Sequence, residues 1–189
     1  MKAVILGDGR KPGIAQIRRS LGDATLFIAA DGGANWARDQ QLIPDLIVGD
    51  LDSYHPVAEE AERVIHLVDQ ETNDMEKALD LALGRGATEV EIYGALGGRP
   101  DHSLKNLSVL KRFNDRFAGK IKLIDPHGEL YLLPRFCRLN LPVGTGISLY
   151  PLTGSVEGIT THGLMYPLDD ESLEVGVRDG TSNLTTEPD

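Results

Sequence analysis

Short runs of branched apolar residues recur through the first two thirds of the chain: KAVIL (2–6), TLFIAA (25–30), LIV (46–48), VIHLV (64–68), EVEIYG (89–94) and KIKLID (120–125). KAVIL reads as a buried strand, and the later runs, including EVEIYG and KIKLID with charges interspersed, read as further strands alternating with helical stretches. That is the condition of a parallel sheet, because parallel neighbours need helical crossovers and the crossovers lie on the sheet. Helical character does lie between the runs. It is expected near 13–20, at 34–41, in a short helix near 57–62, and most clearly in NDMEKALDLALGRG, where Met75, Ala78, Leu79, Ala82 and Leu83 fall at helical spacing. Asn73 followed by Glu76 predicts a capping box there, and Gly84 or Gly86 the end of the helix. A further helix is expected to begin after Pro100 and to bury Leu104, Leu107 and Leu110.

After about residue 126 the pattern changes to short leucine-, valine-, isoleucine- and tyrosine-rich pieces, ELYLL, ISLYPL, SVEGIT and SLEVGV, punctuated by Gly and Pro. The expected fold class is therefore α/β: an N-terminal parallel-sheet α/β domain with helices on both faces (1–125), followed by a small all-β, sandwich-like domain (126–189). So small a β domain is marginal alone and should pack on something else. The terminal TTEPD is expected to fray.

A formal net charge of −10 argues against nonspecific binding to nucleic acid or to an anionic membrane. The single cysteine, Cys137, excludes an intramolecular disulfide and a thiolate metal cage, and reads as a small apolar side chain. The apolar run at the N-terminus is too short for a signal peptide, and no stretch approaches a membrane span of about 18 apolar residues. A cytoplasmic location is the expectation.

In an open parallel sheet, ligands bind beyond the carboxyl ends of the strands. The loops there are GDG (7–9), DGG (31–33), GDLDS (49–53), DQETND (69–74) and GALGGRPDH (94–102). Acids and glycines make good turns and caps, so each loop alone needs no further explanation. Together they collect Asp8, Asp31, Asp50, Asp52, Asp69, Glu71, Asp74 and Asp101 on one edge, with Arg99 and His102 as nearby cations. Like charges so crowded call for a cation between them. Mg²⁺, an oxygen-seeking ion that commonly takes one or two carboxylates together with substrate phosphates, suits the pattern. The glycines would let backbone N–H groups approach phosphate oxygens. Three rival motifs fit less well. GDGRKPG has the wrong glycine spacing for a dinucleotide fingerprint. DLDS lacks the lysine and later acids of an aspartyl-phosphate phosphatase. A bare DxD is too short to indicate glycosyl transfer.

Taken in order and spacing, ADGGAN (30–35), PDLIVGDLDS (44–53), DQETNDMEKAL (69–79) and GALGGRPDHSLKNL (94–107) resemble thiamin pyrophosphokinase (thiamin diphosphokinase), with a thinner match through GLMYPL (163–168) and TSN (181–183). The resemblance implies pyrophosphoryl transfer from ATP to the hydroxyl of thiamin, giving thiamin diphosphate and AMP, by a homodimer with thiamin in the cleft between subunits. It implies that Asp50, Asp52 and Asp74 hold Mg²⁺ and that Asp31 supports the metal or orients the nucleophile. Gln70 and Thr72 would face substrate or phosphate. Arg99, Asp101 and His102 would line the nucleotide side. Tyr166, Ser182 and Asn183 would sit near thiamin. The proton of the attacking hydroxyl would pass to Asp74 or Asp31. Lys77 and Lys105 read as solvated helix-face charges, Trp36 as a packing residue and His162 as structural or exposed. The chain departs from the family at Met165, where a lysine is expected, and at RDGT (178–181), where serines are usual. Both departures touch the thiamin side, so two alternatives stay open: a pyrophosphokinase for another hydroxymethyl heterocycle such as a pterin alcohol, and a binding protein for thiamin or nucleotide that does no chemistry.

Overall fold

A computed structural model describes residues 1–187. The chain divides into two compact units, Met1–Pro134 and the chain from Arg135 onward. In the first unit, β1 (Lys2–Leu6), β2 (Leu26–Ala30), β3 (Leu46–Gly49), β4 (Val64–His66), β5 (Glu89–Tyr93), β6 (Ile121–Asp125) and β7 (Gly128–Leu130) form a seven-stranded sheet in the order β4-β3-β2-β1-β5-β6-β7. All pairings are parallel except β6 with β7, a hairpin closed by Asp125 Oδ1, which accepts the N–H groups of His127 and Gly128. The expected boundary at 125 therefore shifts. Part of the supposed β domain, Gly128–Leu130, is the last strand of the first sheet, and the unit runs to Pro134.

Helices α1 (Ile14–Asp23), α2 (Gly33–Asp39), α3 (Asp74–Gly84) and α4 (Pro100–Asn114) cover both faces of the sheet. β1 shows why its sequence reads as an unbroken apolar run. Ala3 and Ile5 join a cluster with Met75 and Leu79 of α3 and Val109, Leu110 and Phe113 of α4, while Val4 and Leu6 join Ile17 of α1 and Ala37 of α2 on the other face. α3 starts with the expected capping box: the Asn73 side chain accepts the N–H of Glu76, and Glu76 accepts the N–H of Asn73. On α4 the expectation holds at Leu110, which is buried, and at Leu107, which packs partly buried on the core, but not at Leu104, which is 66% exposed; the buried face also carries Asn106, Val109 and Phe113. The short helix before β4 is a 3₁₀ turn, Ala58–Arg63.

In the second unit, β8 (Gly146–Leu149) pairs antiparallel with β11 (Gly180–Leu184), and β9 (Val156–Ile159) with β10 (Glu171–Leu173). Leu168, Leu173 and Pro151 are its buried apolar side chains among the described residues. Thr185 is buried, bonded to Pro142 and Thr145, so order extends into the expected frayed tail; Pro188 and Asp189 lie outside the described residues. Cys137 is exposed rather than a packed apolar side chain. Among the described residues no helix is long and apolar enough to cross a membrane.

Candidate active site

Three strands of the first sheet deliver carboxylates to one point at its carboxyl edge. Asp31 follows β2, Asp50 follows β3, and Asp74 opens α3. One oxygen from each lies within 4.8 Å of the others. Gly49 makes this approach possible, since a Cβ there would stand 3.0 Å from Asp31 Cβ and 3.1 Å from Asp74 Oδ1. A substituent at the end of β3 would push two of the carboxylates apart.

Asp31 is buried, with φ +43, a left-handed conformation that Asp tolerates better than most residues. Its Oδ2 accepts the N–H of Ser53 at 3.2 Å and its Oδ1 the N–H of Tyr54 at 3.1 Å, so it also staples the GDLDS loop to β2. Burial pushes the Asp31 carboxyl above the usual aspartate range. The charges of Asp74 and Asp52 push the same way, against the Gly32 and Ser53 N–H groups, which favour the anion. α2 grips the same loop from behind. Asn35 donates to Ser53 O and accepts the N–H of His55, while Arg38 donates to His55 O and to both oxygens of Glu60, which also takes the Tyr54 hydroxyl at 2.7 Å. Between the paired aspartates, Leu51 has φ +66, a strained turn for a branched side chain, which brings the N–H of Asp52 to Asp50 Oδ1.

The sequence-level site residues divide into groups. Asp31, Asp50 and Asp74 converge. Asp52 stands outside that trio, exposed, with Oδ1 accepting the Ser53 hydroxyl at 2.9 Å. Gln70 reaches the trio, its Nε2 donating to Asp50 Oδ2 at 3.3 Å. Thr72 is turned to Asp69, its N–H and hydroxyl both donating to Asp69 Oδ2. Arg99 and Asp101 are exposed and paired with each other through two hydrogen bonds, with His102 exposed beside them. In the second unit Tyr166 is 64% exposed and Ser182 is exposed with φ +62. Asn183 is buried, its amide accepting the N–H of Tyr166 and donating to Tyr166 O, so it holds that aromatic residue's backbone in place.

Two expectations are corrected. Lys77 is not a solvated helix-face charge: its side chain is 4% exposed and its Nζ lies 3.2 Å from Asp74 Oδ1. The i, i+3 spacing on α3 turns it inward beside the trio, where it offsets part of the negative charge. Lys105 and Arg112 do sit on the outer face of α4, and both reach the buried carboxylate of Glu76. The glycines of the first loop do not free their amides for a phosphate. The N–H of Gly7 donates to Tyr93 O and that of Gly9 to Gly94 O, and a Cβ on Gly9 would fall 2.4 Å from Leu96 O. They let the β1 and β5 loops knit together.

Sequence reasoning also passed over Asn106. Buried on α4, it donates to Ala95 O at 2.7 Å and accepts from Asn73 Nδ2 at 3.1 Å, tying the loop after β5 to the cap that presents Asp74. An amide among apolar positions at helical spacing was the available signal.

The trio is an all-oxygen donor set at a spacing one ion could bridge, which fits a hard divalent cation and offers nothing to a thiophilic one. Residues 17–123 match the family described as thiamin pyrophosphokinase, catalytic domain, and residues 137–189 match thiamin pyrophosphokinase, vitamin B1 binding domain. Thiamine pyrophosphokinase 1 of Oryza sativa subsp. japonica is 32% identical over 196 residues, covering 87% of this chain and 73% of that protein. Thiamine pyrophosphokinase of Bacillus subtilis (strain 168) is 28% identical over 185 residues, covering 93% and 86%. In fold, the chain resembles the crystal structures of the Bacillus subtilis protein (TM-score 0.79, 24% identity, 100% of this chain and 91% of that one) and of yeast thiamin pyrophosphokinase (TM-score 0.82, 15% identity, 99% and 80%).

Proposed function

This chain belongs to the thiamin pyrophosphokinase family, and from that premise we propose that it makes thiamin diphosphate from thiamin and ATP at the carboxyl edge of its first sheet, with Mg²⁺ as the metal. The observation that carries the reading is the convergence of Asp31, Asp50 and Asp74, with the buried ammonium of Lys77 beside them. Asp50 and Asp74 would hold the ion, with Asp31 fixing the loop around it and Asp52 available at the rim. Bound there, Mg²⁺ would neutralise charge on the phosphates and orient them.

The protein's own groups supply positioning, which is most of what phosphoryl transfer asks of an enzyme. The thiamin hydroxyl would attack the β-phosphorus, the bond from that phosphorus to the bridging oxygen would break, and AMP would leave with that oxygen. The hydroxyl proton would pass to Asp31 or Asp74. Gln70, already bonded to Asp50, and Thr72 would face substrate or phosphate, and Arg99 would exchange Asp101 for a phosphate oxygen, with Asp101 and His102 lining the nucleotide side. Tyr166, steadied by Asn183, and Ser182 would face thiamin.

We also propose a homodimer. Phe136, Val143, Tyr150, Tyr166 and Val177 of the small β unit are each more than half exposed, an apolar surface that a second subunit would cover. Incubating the protein with ATP, Mg²⁺ and thiamin and following phosphorus NMR tests the reaction. AMP appearing with a diphosphate ester of thiamin is the expected result. ADP would mean single phosphoryl transfer and overturn the assignment.

A further inference from the structure

At the carboxyl edge of the first sheet Lys77 is held by Asp74 and Arg99 by Asp101. The loop after β1 carries two more cations, Arg10 and Lys11. The backbone there is not free to meet an anion, because the N–H groups of Gly7, Gly9 and Arg10 all donate to carbonyls of the β5 end and its loop, at 2.7 to 2.8 Å. Any positive charge this loop offers comes from side chains. The Lys11 side chain is 7% exposed. Its stem lies against Gly94, where a Cβ would stand 3.3 Å from Lys11 Cε, and its Nζ is 5.4 Å from the Trp36 ring centroid. The ammonium has three protons to donate. One goes to Gly9 O at 2.9 Å, and the nearest carboxylate, Asp8, is 3.7 Å away and mostly exposed. Burial accordingly holds the Lys11 pKa below the ordinary lysine value, with Asp8 opposing. A buried ammonium so thinly compensated is costly unless a further anion completes it.

Arg10 lies across Gly97, where a Cβ would be 2.7 Å from Arg10 Cβ. Among the described residues its guanidinium has no ion pair and no hydrogen bond. Arg10 and Lys11 both stand at the point where the strand order reverses, between β1 and β5, the place at which open sheets of this kind take their ligands.

We propose that Arg10 and Lys11 grip the polyphosphate of the nucleotide, Lys11 from beneath and Arg10 from the rim, on the opposite side of the phosphates from the carboxylate trio. The proposal rests on the reading of this site as an ATP-dependent pyrophosphotransferase. The charge then divides by loop: acids after β2, β3 and β4 gather the metal, and cations after β1 and β5 meet phosphate oxygens directly.

Lys11→Met keeps the stem against Gly94 and removes the charge; Arg10→Gln changes an exposed side chain. Calorimetric titration of the full chain with Mg²⁺ and inorganic tripolyphosphate should show affinity falling about tenfold or more in each variant, the effect of losing one charge-assisted hydrogen bond. The KM for ATP should rise in step, while the KM for thiamin and the affinity for AMP stay within about twofold, because neither carries the polyphosphate. Unchanged tripolyphosphate affinity in both variants overturns the proposal. If Lys11→Met fails to fold, Arg10→Gln decides alone. A parent protein that binds tripolyphosphate, loses that binding in the variants, and yet releases no AMP from ATP and thiamin overturns the proposed function and leaves the cation assignment standing.

Discussion

Asp50→Asn should make the metal-free protein more stable while destroying its response to Mg²⁺. The change is nearly isosteric, and the hydrogen bonds at stake are weak: Asp50 accepts the N–H of Asp52 and the Gln70 amide, both at 3.3 Å. The charge matters more. Asp50 repels Asp31 and Asp74 and is attracted by Lys77, so removing it relieves a net of roughly one like-charge pair. For oxygens within 4.8 Å, that pair is worth about 0.9 kcal/mol in bulk water and about 3.5 kcal/mol at an effective dielectric of about 20. Asp50 is half-buried, which places the gain at about 1–3 kcal/mol, or a rise in Tm of about 2–4 °C for each kcal/mol in a chain of this size. Mg²⁺ at about 100 times its Kd should stabilise the parent by about 2.7 kcal/mol and the variant by much less. Urea unfolding in EDTA and in Mg²⁺, read by the single tryptophan, measures both numbers. A metal-free variant less stable than its parent, or one that keeps the full Mg²⁺ increment, would refute the claim that this trio stores repulsion for a cation to release.

Lys77→Met should do the opposite, lowering metal-free stability by about 1–3 kcal/mol because Asp74 loses its buried partner, in the same unfolding assay. Glu60 takes two hydrogen bonds from Arg38, which hold its carboxyl below the usual glutamate range against the opposing effect of burial. A depressed folded pKa means stability that is full above the unfolded value near 4.5 and lost as pH falls through the folded one, so Glu60→Gln should flatten the loss of stability below about pH 4.5 and cost stability at neutral pH. Gly9→Ala should prevent the β1 and β5 loops from closing, because the new Cβ would meet the carbonyls of Leu96 and Gly94, at 2.4 and 2.6 Å; a destabilisation of at least about 1–3 kcal/mol in urea unfolding is expected. Asn106→Ala should cost about 1–3 kcal/mol, by leaving Ala95 O and the Asn73 amide unsatisfied, and should weaken Mg²⁺ binding as the cap that presents Asp74 loosens, with calorimetry as the check.

How much of this was legible beforehand differs by element. Strands β1, β2 and β3 could be read because burial on both faces demands continuous apolar runs, β5 and β6 from their place between helical stretches, and α3 because its cap and stripe are local signals. The boundary near 125 was misplaced because β7 is short and exposed, and a three-residue hairpin strand carries no pattern that separates it from the pieces that follow. Lys77 and Leu104 were read the wrong way round. A lysine beside an apolar stripe looks solvated until a carboxylate on the same helix turns it inward, and a leucine at plausible spacing looks buried until the helix's rotation is known. The acids were legible as a set because they follow successive strand ends. Which of them meet was not, since that depends on Gly49 leaving room and on the strained turns at Asp31 and Leu51.

The sequence by itself determined the parallel sheet, the edge on which the acidic loops gather, and the family to which the chain belongs, because these rest on local periodicity and on the order of motifs along the chain. Tertiary structure alone decided that Asp31, Asp50 and Asp74 form the trio while Asp52 stands outside, that Lys77 is its buried counter-charge, and that the first loop spends its amides on the β5 loop and leaves Arg10 and Lys11 to meet an anion. Each of those depends on distances between residues far apart in the chain, which close packing sets to within an ångström and residue order does not encode directly.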